Sequence, residues 1–271
     1  MRALVITSHP GPSLAITAMA SLLAAQAAPH GIGPVLTAPA MLAGQLSVGW
    51  SNDAFDAARD AAAGRTDKPI ATGAISKRAV WTAAFIALAA ALAMSLAISV
   101  ATLVITVVIV GAAWAYNAGL KSTLASGLMY IAGFGPIPAY ATSTLPGHPL
   151  PRWQVTGAAA AIGLGAHFAN VLPDLAGDMA TGVKGLPQQV ASRWGSGAVR
   201  ACALVLLLGA SVLLLVAASP DRRWVAAIGL AAAAVLALVA ARASGRLPFL
   251  AAILIAGIDV VLFVAAREIL T

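Results

Sequence analysis

The chain has 271 residues, of which 61% are hydrophobic and 9% are charged, and it carries a formal net charge of +7. Soluble domains contain about 25% charged residues, so this composition excludes a water-soluble globular protein. The excess of positive charge is interpreted as cytoplasmic loops that face anionic lipid headgroups, and no nucleic-acid partner is expected.

Apolar stretches follow one another along the whole chain, and each has the roughly 17 to 25 residues needed to cross a bilayer. They predict an all-α membrane protein, organised as a single polytopic domain over residues 1–271 with a bundle of about nine transmembrane helices. In chain order, the predicted spans are residues 13–30, 34–51, 79–98, 100–117, 124–145, 153–172, 197–217, 223–241 and 248–268.

The first span has an alternative interpretation as a cleavable signal peptide. Arg2 precedes a short apolar run that ends in the small residues Ala24, Ala25, Gln26, Ala27 and Ala28. We favour a retained helix, because prolines interrupt the start of the run and the basic segment is a single arginine.

Lysines and arginines are distributed unequally between the two sides of the predicted bundle. A cytoplasmic N-terminus places twelve of them inside, namely Arg2, Arg59, Arg65, Lys68, Lys77, Arg78, Lys121, Lys184, Arg193, Arg200, Arg242 and Arg246. Four then lie outside: Arg152, Arg222, Arg223 and Arg267. The positive-inside rule therefore predicts a multi-pass cell-membrane protein with a cytoplasmic N-terminus. Two long polar loops, 51–78 and 173–196, are cytoplasmic in this orientation, and chemistry is expected there.

A repeated pattern, Asn-x3-Asp-x3-Asp, occurs once in each of these loops. The copies are Asn52, Asp56 and Asp60, and Asn170, Asp174 and Asp178. The offset of 118 residues also maps Gly64 onto Gly182 and Pro69 onto Pro187. Of the nine acidic residues in the chain, six lie in or beside these segments, which indicates that these carboxylates share a function.

The repeated pattern predicts a binding site for hard cations. Residues four apart on a helix lie on one face, about 5–6 Å from each other, so each copy can form a stripe of oxygen ligands. Two facing stripes suit Mg²⁺, which accepts carboxylates, water and phosphate oxygens. The candidate ligands are Asn52, Asp53, Asp56, Asp60, Asn170, Asp174 and Asp178. The alternative, in which these acids only cap helices and solvate loops, is less favoured because the pattern occurs twice.

Basic residues stand next to the acidic pattern. Carboxylates with a metal and nearby lysine and arginine form the arrangement that binds a polyphosphate. The preferred contacts for a diphosphate are Arg65, Lys68, Lys121 and Lys184. Other cations, such as Lys77, Arg200, Arg242 and Arg246, are interpreted as signals of membrane topology.

The two segments resemble the two signatures of the UbiA superfamily of membrane prenyltransferases. The first comprises Asn52-Asp53-x2-Asp56-x3-Asp60 followed by Gly64-Arg65-x2-Lys68-Pro69, and the second Asp174-x2-Gly177-Asp178-x3-Gly182 through Pro187. Tyr116 to Lys121 is similar to the lysine-bearing loop of that family. The resemblance covers essentially the whole chain.

The resemblance implies intramembrane transfer of a prenyl group from a prenyl diphosphate to an acceptor, often an aromatic ring. Asp56, Asp60, Asp174 and Asp178 are then the catalytic carboxylates that hold Mg²⁺, the expected cofactor. The metal and the neighbouring cations would stabilise the charge that grows on the leaving diphosphate. Members that act on 4-hydroxybenzoate have an arginine before the first helix, whereas this chain has Thr7 to Pro12 there, so the acceptor stays open.

Asp259 and His167 are not part of either acidic pattern. Asp259 lies in the middle of the last span, either as an acid with a function or as one paired within the bundle, and His167 is interpreted chiefly as a packing residue.

Other functions stay open. Phosphoribosyl transfer to a polyprenyl phosphate, or cyclisation of a diphosphate, would use the same metal chemistry. An ion-coupled transporter is less favoured, because transporters hold their acids near the bilayer midplane.

Overall fold

The computed structural model describes residues 2–27, 32–180, 182–243 and 245–265, and the regular elements in these ranges are helices. The described residues form two compact units. The first consists of the chain up to Ala118 together with Ser143–His148, and the second consists of Gly119–Thr142 and the chain from Pro149 onwards. Residues 28–30 of the first predicted span, and Arg267, lie outside the described ranges.

The first unit contains five helices arranged around one long central helix. They are α1 (Arg2–Ile6), α2 (Pro10–Ala27), α3 (Ile32–Ala62), α4 (Lys77–Ile98) and α5 (Val100–Asn117). The central helix is α3, which packs against α2, α4 and α5. It continues eleven residues past the predicted end of its span at residue 51, so the first acidic pattern lies on the continuation of this helix.

The turn between α1 and α2 lies directly on α3. The indole N–H of Trp50 donates a hydrogen bond to the carbonyl oxygen of Leu4 at 2.9 Å. One helical turn away from the acidic pattern, a Cβ added at Gly49 would stand 2.2 Å from the carbonyl oxygen of Ser8. Only glycine permits this approach, and it brings the N-terminal segment alongside the first acidic residues.

Ser99 separates α4 from α5, as the predicted break between residues 98 and 100 requires. Its backbone is extended, with φ −170°, and its N–H donates to the carbonyl oxygen of Ser95. Its side-chain oxygen accepts the N–H of Thr102 at 3.0 Å. One serine therefore ends one helix and caps the start of the next, which is why two helices can follow without a longer turn.

The second unit contains the remaining helices and its own apolar core. They are α6 (Ser126–Phe134), α7 (Ile137–Thr142), α8 (Trp153–Val171), α9 (Leu175–Ala180), α10 (Leu186–Trp194), α11 (Ser196–Ala217), α12 (Arg223–Arg242) and α13 (Leu247–Ala265), with a short 3-10 helix at Leu120–Ser122. The central helix is α11, which contacts α8, α10, α12 and α13. Val199, Leu207 and Ile255 are completely buried in this core.

The fifth predicted span, 124–145, is two short helices and not one. α6 ends at Phe134 and α7 begins at Ile137, with Gly135 and Pro136 in the turn between them. Proline has no N–H to continue the ladder of helical hydrogen bonds, so the chain breaks there.

Membrane-spanning character is clear for part of the bundle. Among the described residues, four helices are long and apolar enough to cross a bilayer: α4, α5, α11 and α12. The segment Leu247–Phe263 of α13 is apolar but shorter. The all-α membrane class is therefore confirmed, whereas the predicted count of nine spans is not.

Candidate active site

The first acidic stripe lies along the last three turns of α3. Asn52, Asp56 and Asp60 are four residues apart and therefore share one helix face. Asp56 is 13% exposed and forms an ion pair with Arg59 at 3.0 Å. Asp60 is only 6% exposed, yet its carboxylate makes no hydrogen bond or ion pair with any residue that the structure describes. A buried carboxylate in this state is stabilised by a cation.

Asp53 is engaged inside the protein. Its carboxylate is 3% exposed, and its Oδ1 atom lies 2.8 Å from Nε2 of His9 and 2.8 Å from Nζ of Lys68. The acid was predicted as a metal ligand, and the lysine as a diphosphate contact. The structure shows the two joined in a largely buried ion pair, and His9 of the N-terminal segment contacts the same oxygen.

Arg65 lies three residues beyond the end of α3, in an exposed connection. Its Nε and Nη2 atoms donate to the two carboxylate oxygens of Asp67 at 2.8 and 2.7 Å. These hydrogen bonds lower the pKa of Asp67 to about 2. The guanidinium of Arg65 is therefore held in one orientation by a carboxylate that stays ionised throughout the physiological range.

The second acidic pattern is divided between two helices. α8 ends at Val171, residues 172–174 form a turn, and α9 begins at Leu175. Asn170 therefore stands in the last turn of α8, Asp174 in the connection, and Asp178 within α9. Pro173 accounts for the break, because its ring prevents the helix from continuing. The second copy is thus not the continuous stripe that its spacing predicts.

Asp178 has a partner that the sequence did not single out. Gln188, in the first turn of α10, is 4% exposed, and its side-chain amide donates to Oδ2 of Asp178 at 2.9 Å. The carbonyl oxygen Oε1 of Gln188 is buried without a hydrogen-bond partner among the described residues. Since the glutamine is fixed by burial, it orients the aspartate carboxylate.

The segment that carries Lys184 is attached to the rest of its unit through Ser126. The Oγ atom of Ser126 accepts the backbone N–H of Leu186 at 2.8 Å and lies 2.9 Å from Nε2 of His167. His167 is 1% exposed and stacks on Tyr130 with ring centroids 4.3 Å apart. The packing interpretation of this histidine is therefore supported by its surroundings.

The predicted lysine-bearing loop approaches the same segment. A Cβ added at Gly185 would lie 2.6 Å from the carbonyl oxygen of Lys121, so glycine is required for this close approach. Lys121 is half-buried, whereas Lys184 is exposed. The structure thus brings the backbones around these two predicted diphosphate contacts together within the second unit.

Both acidic helices end in the same way. After α3, the N–H of Gly64 donates to Ala61 at 3.1 Å and that of Arg65 donates to Asp60 at 3.0 Å. After α9, the N–H of Gly182 donates to Met179 at 3.2 Å and that of Val183 donates to Asp178 at 2.9 Å. Each pair forms a Schellman motif, and both glycines have positive φ, +64° and +80°. The repeat in sequence is therefore also a repeat in backbone structure.

The donor atoms present suit a hard cation. Carboxylate and amide oxygens predominate in both patterns, and the buried carboxylate of Asp60 has no cationic partner among the described residues. No group of three or more His, Cys, Asp or Glu side chains converges in the part of the chain that the structure describes. Sites that take only one or two carboxylates and complete the shell with water and phosphate oxygens are typical of Mg²⁺.

The model of the UbiA prenyltransferase family matches residues 13–264, nearly the whole chain. The chain belongs to the UbiA prenyltransferase family. This confirms the predicted family and the predicted enzyme class, a prenyltransferase. A comparison with curated proteins found no match.

UbiA proteins of known structure share the fold. A chain from a study of digeranylgeranylglyceryl phosphate synthase in membranes is 15% identical, with a TM-score of 0.73 and 98% of each chain covered. A UbiA homologue from Archaeoglobus fulgidus bound to GPP and Mg²⁺ is 14% identical, with a TM-score of 0.68, 98% of this chain covered and 99% of the other. A second structure of that homologue, bound to DMAPP and Mg²⁺, is 16% identical with a TM-score of 0.69 and the same coverage.

Sequence reasoning missed three residues that organise the UbiA motifs in this chain. His9 contacts Asp53 because Gly49 permits a close approach, and no spacing rule predicts a contact over 44 residues. Gln188 contacts Asp178, and Ser126 contacts Leu186, through pairings that depend on how separate helices pack. Gln188 did carry one signal, since it directly follows Pro187, and proline is common in the first turn of a helix.

Proposed function

We propose that this chain transfers a prenyl group from a prenyl diphosphate to an acceptor, expected to be aromatic, in a reaction that depends on Mg²⁺. Membership of the UbiA family supports this reaction, and so does the fold shared with homologues bound to GPP or DMAPP and Mg²⁺. The observation that carries the proposal is Asp60, a buried carboxylate without a partner among the described residues.

Each acidic pattern would hold metal through its own oxygens: Asp56 and Asp60 with the amide oxygen of Asn52 in the first, and Asp174 and Asp178 with the amide oxygen of Asn170 in the second. When bound, Mg²⁺ supplies positive charge to the diphosphate as it leaves. Asp53 was also predicted as a ligand, but its Oδ1 atom already accepts two hydrogen bonds. Its role in this proposal is to fix the position of Lys68.

The chain's own cations bind the diphosphate. Lys68 is held by Asp53 at 2.8 Å and Arg65 by Asp67 at 2.7 Å, so both groups are oriented before substrate arrives. Charge that is already in place need not reorganise as the leaving group develops its own charge, which is the main source of electrostatic stabilisation. Lys121 and Lys184 provide the corresponding cations beside the second pattern. The apolar helices exclude water, which would otherwise consume an allylic cation.

The orientation in the membrane is part of the proposal. The positive-inside distribution of lysine and arginine puts the N-terminus and both acidic segments in the cytoplasm. Water-soluble reactants would then reach the carboxylates from that side, while the prenyl chain stays in the apolar bundle.

The test is turnover in membranes that contain this protein. Geranyl and dimethylallyl diphosphate would be supplied with a panel of aromatic acceptors, with and without Mg²⁺, and released diphosphate and product mass would be measured. We expect Mg²⁺-dependent turnover that falls by at least about 100-fold in Asp60→Asn, given the loss of a ligand at the reacting charge. Asp221→Asn is the matched control, since Asp221 is an exposed acid outside both patterns.

The product mass also distinguishes the other reactions. With a phosphoribosyl donor and a polyprenyl phosphate also supplied, a phosphoribosylated polyprenyl phosphate would assign phosphoribosyl transfer in place of prenyl transfer. A cyclised product formed without acceptor would assign cyclisation of the diphosphate. The absence of turnover, together with the absence of Mg²⁺-dependent binding of any prenyl diphosphate, would contradict the proposal. The same result would favour the ion-coupled transporter.

A further inference from the structure

Three arginines gather at one end of the second unit, where α11 ends and α8 and α12 begin. The Nη1 atom of Arg152 donates to the carbonyl oxygen of Ala217 at 2.9 Å, and Nε of Arg223 donates to that of Ala218 at 3.3 Å. Arg222 directly precedes α12. These are three of the four basic residues that the charge distribution predicts on the external side, so most of that charge lies in one place.

This arginine cluster lies at a membrane surface, away from the second acidic pattern. Both α11 and α12 are long and apolar enough to cross a bilayer, so residues 218–222, which connect them, lie outside the hydrocarbon. The 22 residues of α11 span about 33 Å. Asp174 lies near the start of that helix, where it lines one cavity with Ser196. The arginine cluster and the proposed metal ligand are therefore at opposite ends of a transmembrane helix.

An exposed tryptophan accompanies the arginines on each of two helices. Trp153 follows Arg152 and is 70% exposed, and Trp224 follows Arg223 and is 65% exposed. Indole rings are enriched where hydrocarbon meets the lipid headgroups, because the ring is apolar and its N–H is polar. The two rings therefore indicate the depth of the headgroups, and the arginines lie beside them.

The charges within the arginine cluster repel one another. Arg152 and Arg222 are the N-cap residues of α8 and α12, and neither helix has a side-chain hydrogen bond at its cap. A helix N-terminus carries partial positive charge, so a basic residue there is unfavourable and an anion is favourable. Asp221, at 3.8 Å from Nε of Arg222, is the one acid in the described connections 149–152 and 218–222. Three guanidinium groups against one carboxylate leave this surface positive.

Hydrogen bonds to α11 occupy a small part of the donor capacity of two of these arginines. A guanidinium has five N–H donors. Among the described residues, Arg152 uses one of its nitrogen atoms to bond Ala217, and Arg223 uses one to bond Ala218. These bonds cap the end of α11 and fix both side chains at the same helix end. The remaining donors are exposed and are available to a ligand.

We propose that the arginine cluster binds the phosphate of an anionic phospholipid in the leaflet on that side of the membrane. Guanidinium groups recognise phosphate through charge-assisted, bidentate hydrogen bonds. One phosphate would offset the repulsion among the arginines and lie at the positive ends of α8 and α12. A lipid without net charge is less favoured, because its ammonium group would approach a positive surface. Trp153 and Trp224 would contact the lipid below its headgroup.

The test measures binding to purified protein in detergent, with EDTA present and no prenyl diphosphate, so that it depends on neither Mg²⁺ nor turnover. The probes are dioctanoyl phosphatidylglycerol, dioctanoyl phosphatidylcholine as the lipid with the same chains and no net charge, and inorganic phosphate. The dissociation constant of each probe is obtained from its effect on the thermal unfolding midpoint.

We expect the wild-type protein to bind phosphatidylglycerol at least about tenfold more tightly than phosphatidylcholine, and Arg223→Gln to weaken phosphatidylglycerol binding by about tenfold through the loss of charge-assisted hydrogen bonds. Arg242→Gln is the matched control, because it removes the same charge from the other end of α12. Arg242 is also exposed, and its Nη1 atom bonds to Leu238 of its own helix. Its replacement should leave the affinity for phosphatidylglycerol unchanged.

Arg222→Gln is a second variant and should also weaken phosphatidylglycerol binding. If Arg223→Gln does not fold, because its bond to Ala218 is lost, Arg222→Gln alone decides. Any of four results would overturn the proposal: equal affinity for the two lipids, equal stabilisation by inorganic phosphate at the same concentration, unchanged affinity in the variants of the arginine cluster, or equal weakening in Arg242→Gln.

Discussion

The side-chain amide of Gln188 donates a hydrogen bond to Oδ2 of Asp178 at 2.9 Å. The glutamine is 4% exposed, so the bond is shielded from water and holds one oxygen of the carboxylate in a fixed place. Because the carboxylate is planar and rigid, the same hydrogen bond also fixes the orientation of its other oxygen, Oδ1. A residue outside the acidic pattern therefore sets the orientation of a residue within it.

Replacing Gln188 is expected to weaken Mg²⁺ binding while the fold is kept. Loss of a hydrogen-bonded partner behind a metal ligand typically costs about 10- to 100-fold in metal affinity. We expect Gln188→Ala to raise the Mg²⁺ concentration for half-maximal turnover by that factor, with saturating Mg²⁺ restoring part of the rate. Ser192→Ala, an exposed change on the same helix, should leave the Mg²⁺ dependence unaltered. A lower rate with an unchanged Mg²⁺ requirement would argue against this role.

Mg²⁺ should stabilise the wild-type protein more than Asp60→Asn. A ligand that binds only the folded state raises the unfolding midpoint, and the gain is about 2.7 kcal/mol at 100 times the dissociation constant. Thermal unfolding in detergent, with Mg²⁺ titrated against EDTA, measures the gain for each protein. Asp221→Asn should behave like wild type. If Mg²⁺ raised the stability of Asp60→Asn as much as that of wild type, the cation would not be bound by Asp60.

Asp67 is expected to compete with substrate for Arg65. Because the pKa of Asp67 is lowered to about 2, its carboxylate stays charged above that pH, and the pair with Arg65 is lost only as the pH falls through about 2. Asp67→Asn should therefore lower KM for prenyl diphosphate by less than about fivefold, as is usual for an exposed pair. The change in KM should be the same at pH 6 and pH 8. An equal change in Arg65→Gln/Asp67→Asn would show that Arg65 is not involved.

Gly64 and Gly182 should resist replacement for conformational reasons. Both have positive φ in the turn that ends an acidic helix, a conformation that costs an L-residue about 1–2 kcal/mol. Gly64→Ala and Gly182→Ala are each expected to lower the free energy of unfolding by about that amount. Gly111→Ala is the control, because Gly111 lies within α5 and an added Cβ there meets nothing within 4 Å. Equal thermal unfolding midpoints for all three variants would contradict the conformational explanation for glycine at positions 64 and 182.

The sequence predicted what depends on local pattern. Apolar lengths gave the helical membrane class, and the break at Ser99 was placed correctly even though no strong turn signal marks it. The spacing of Asn52, Asp56 and Asp60 predicted one helix face, and α3 provides it. For the second pattern, Pro173 overrode the spacing, because a proline ring outweighs the preference of neighbouring residues for helix.

What the sequence could not predict depends on contacts between distant segments. The pairing of Asp53 with Lys68 joins two residues that were predicted separately, one as a metal ligand and one as a diphosphate contact, and it results from how the chain returns to α3 after residue 64. Asp259 was left between two interpretations, and the structure pairs it with Ser211 of α11 inside the second unit. A carboxylate and a serine 48 residues apart carry no signal of their contact.

The Schellman ends of α3 and α9 have a consequence for insertions and deletions. In each, the carbonyl group of the last acidic residue is bonded to the N–H group five positions later, so this stretch has a fixed length. One residue added between Asp60 and Gly64 would advance the glycine by about 100° around the helix axis and put an L-residue at positive φ. The number of residues from the last aspartate to the glycine is therefore fixed, and the length of the following loop can vary only beyond this stretch.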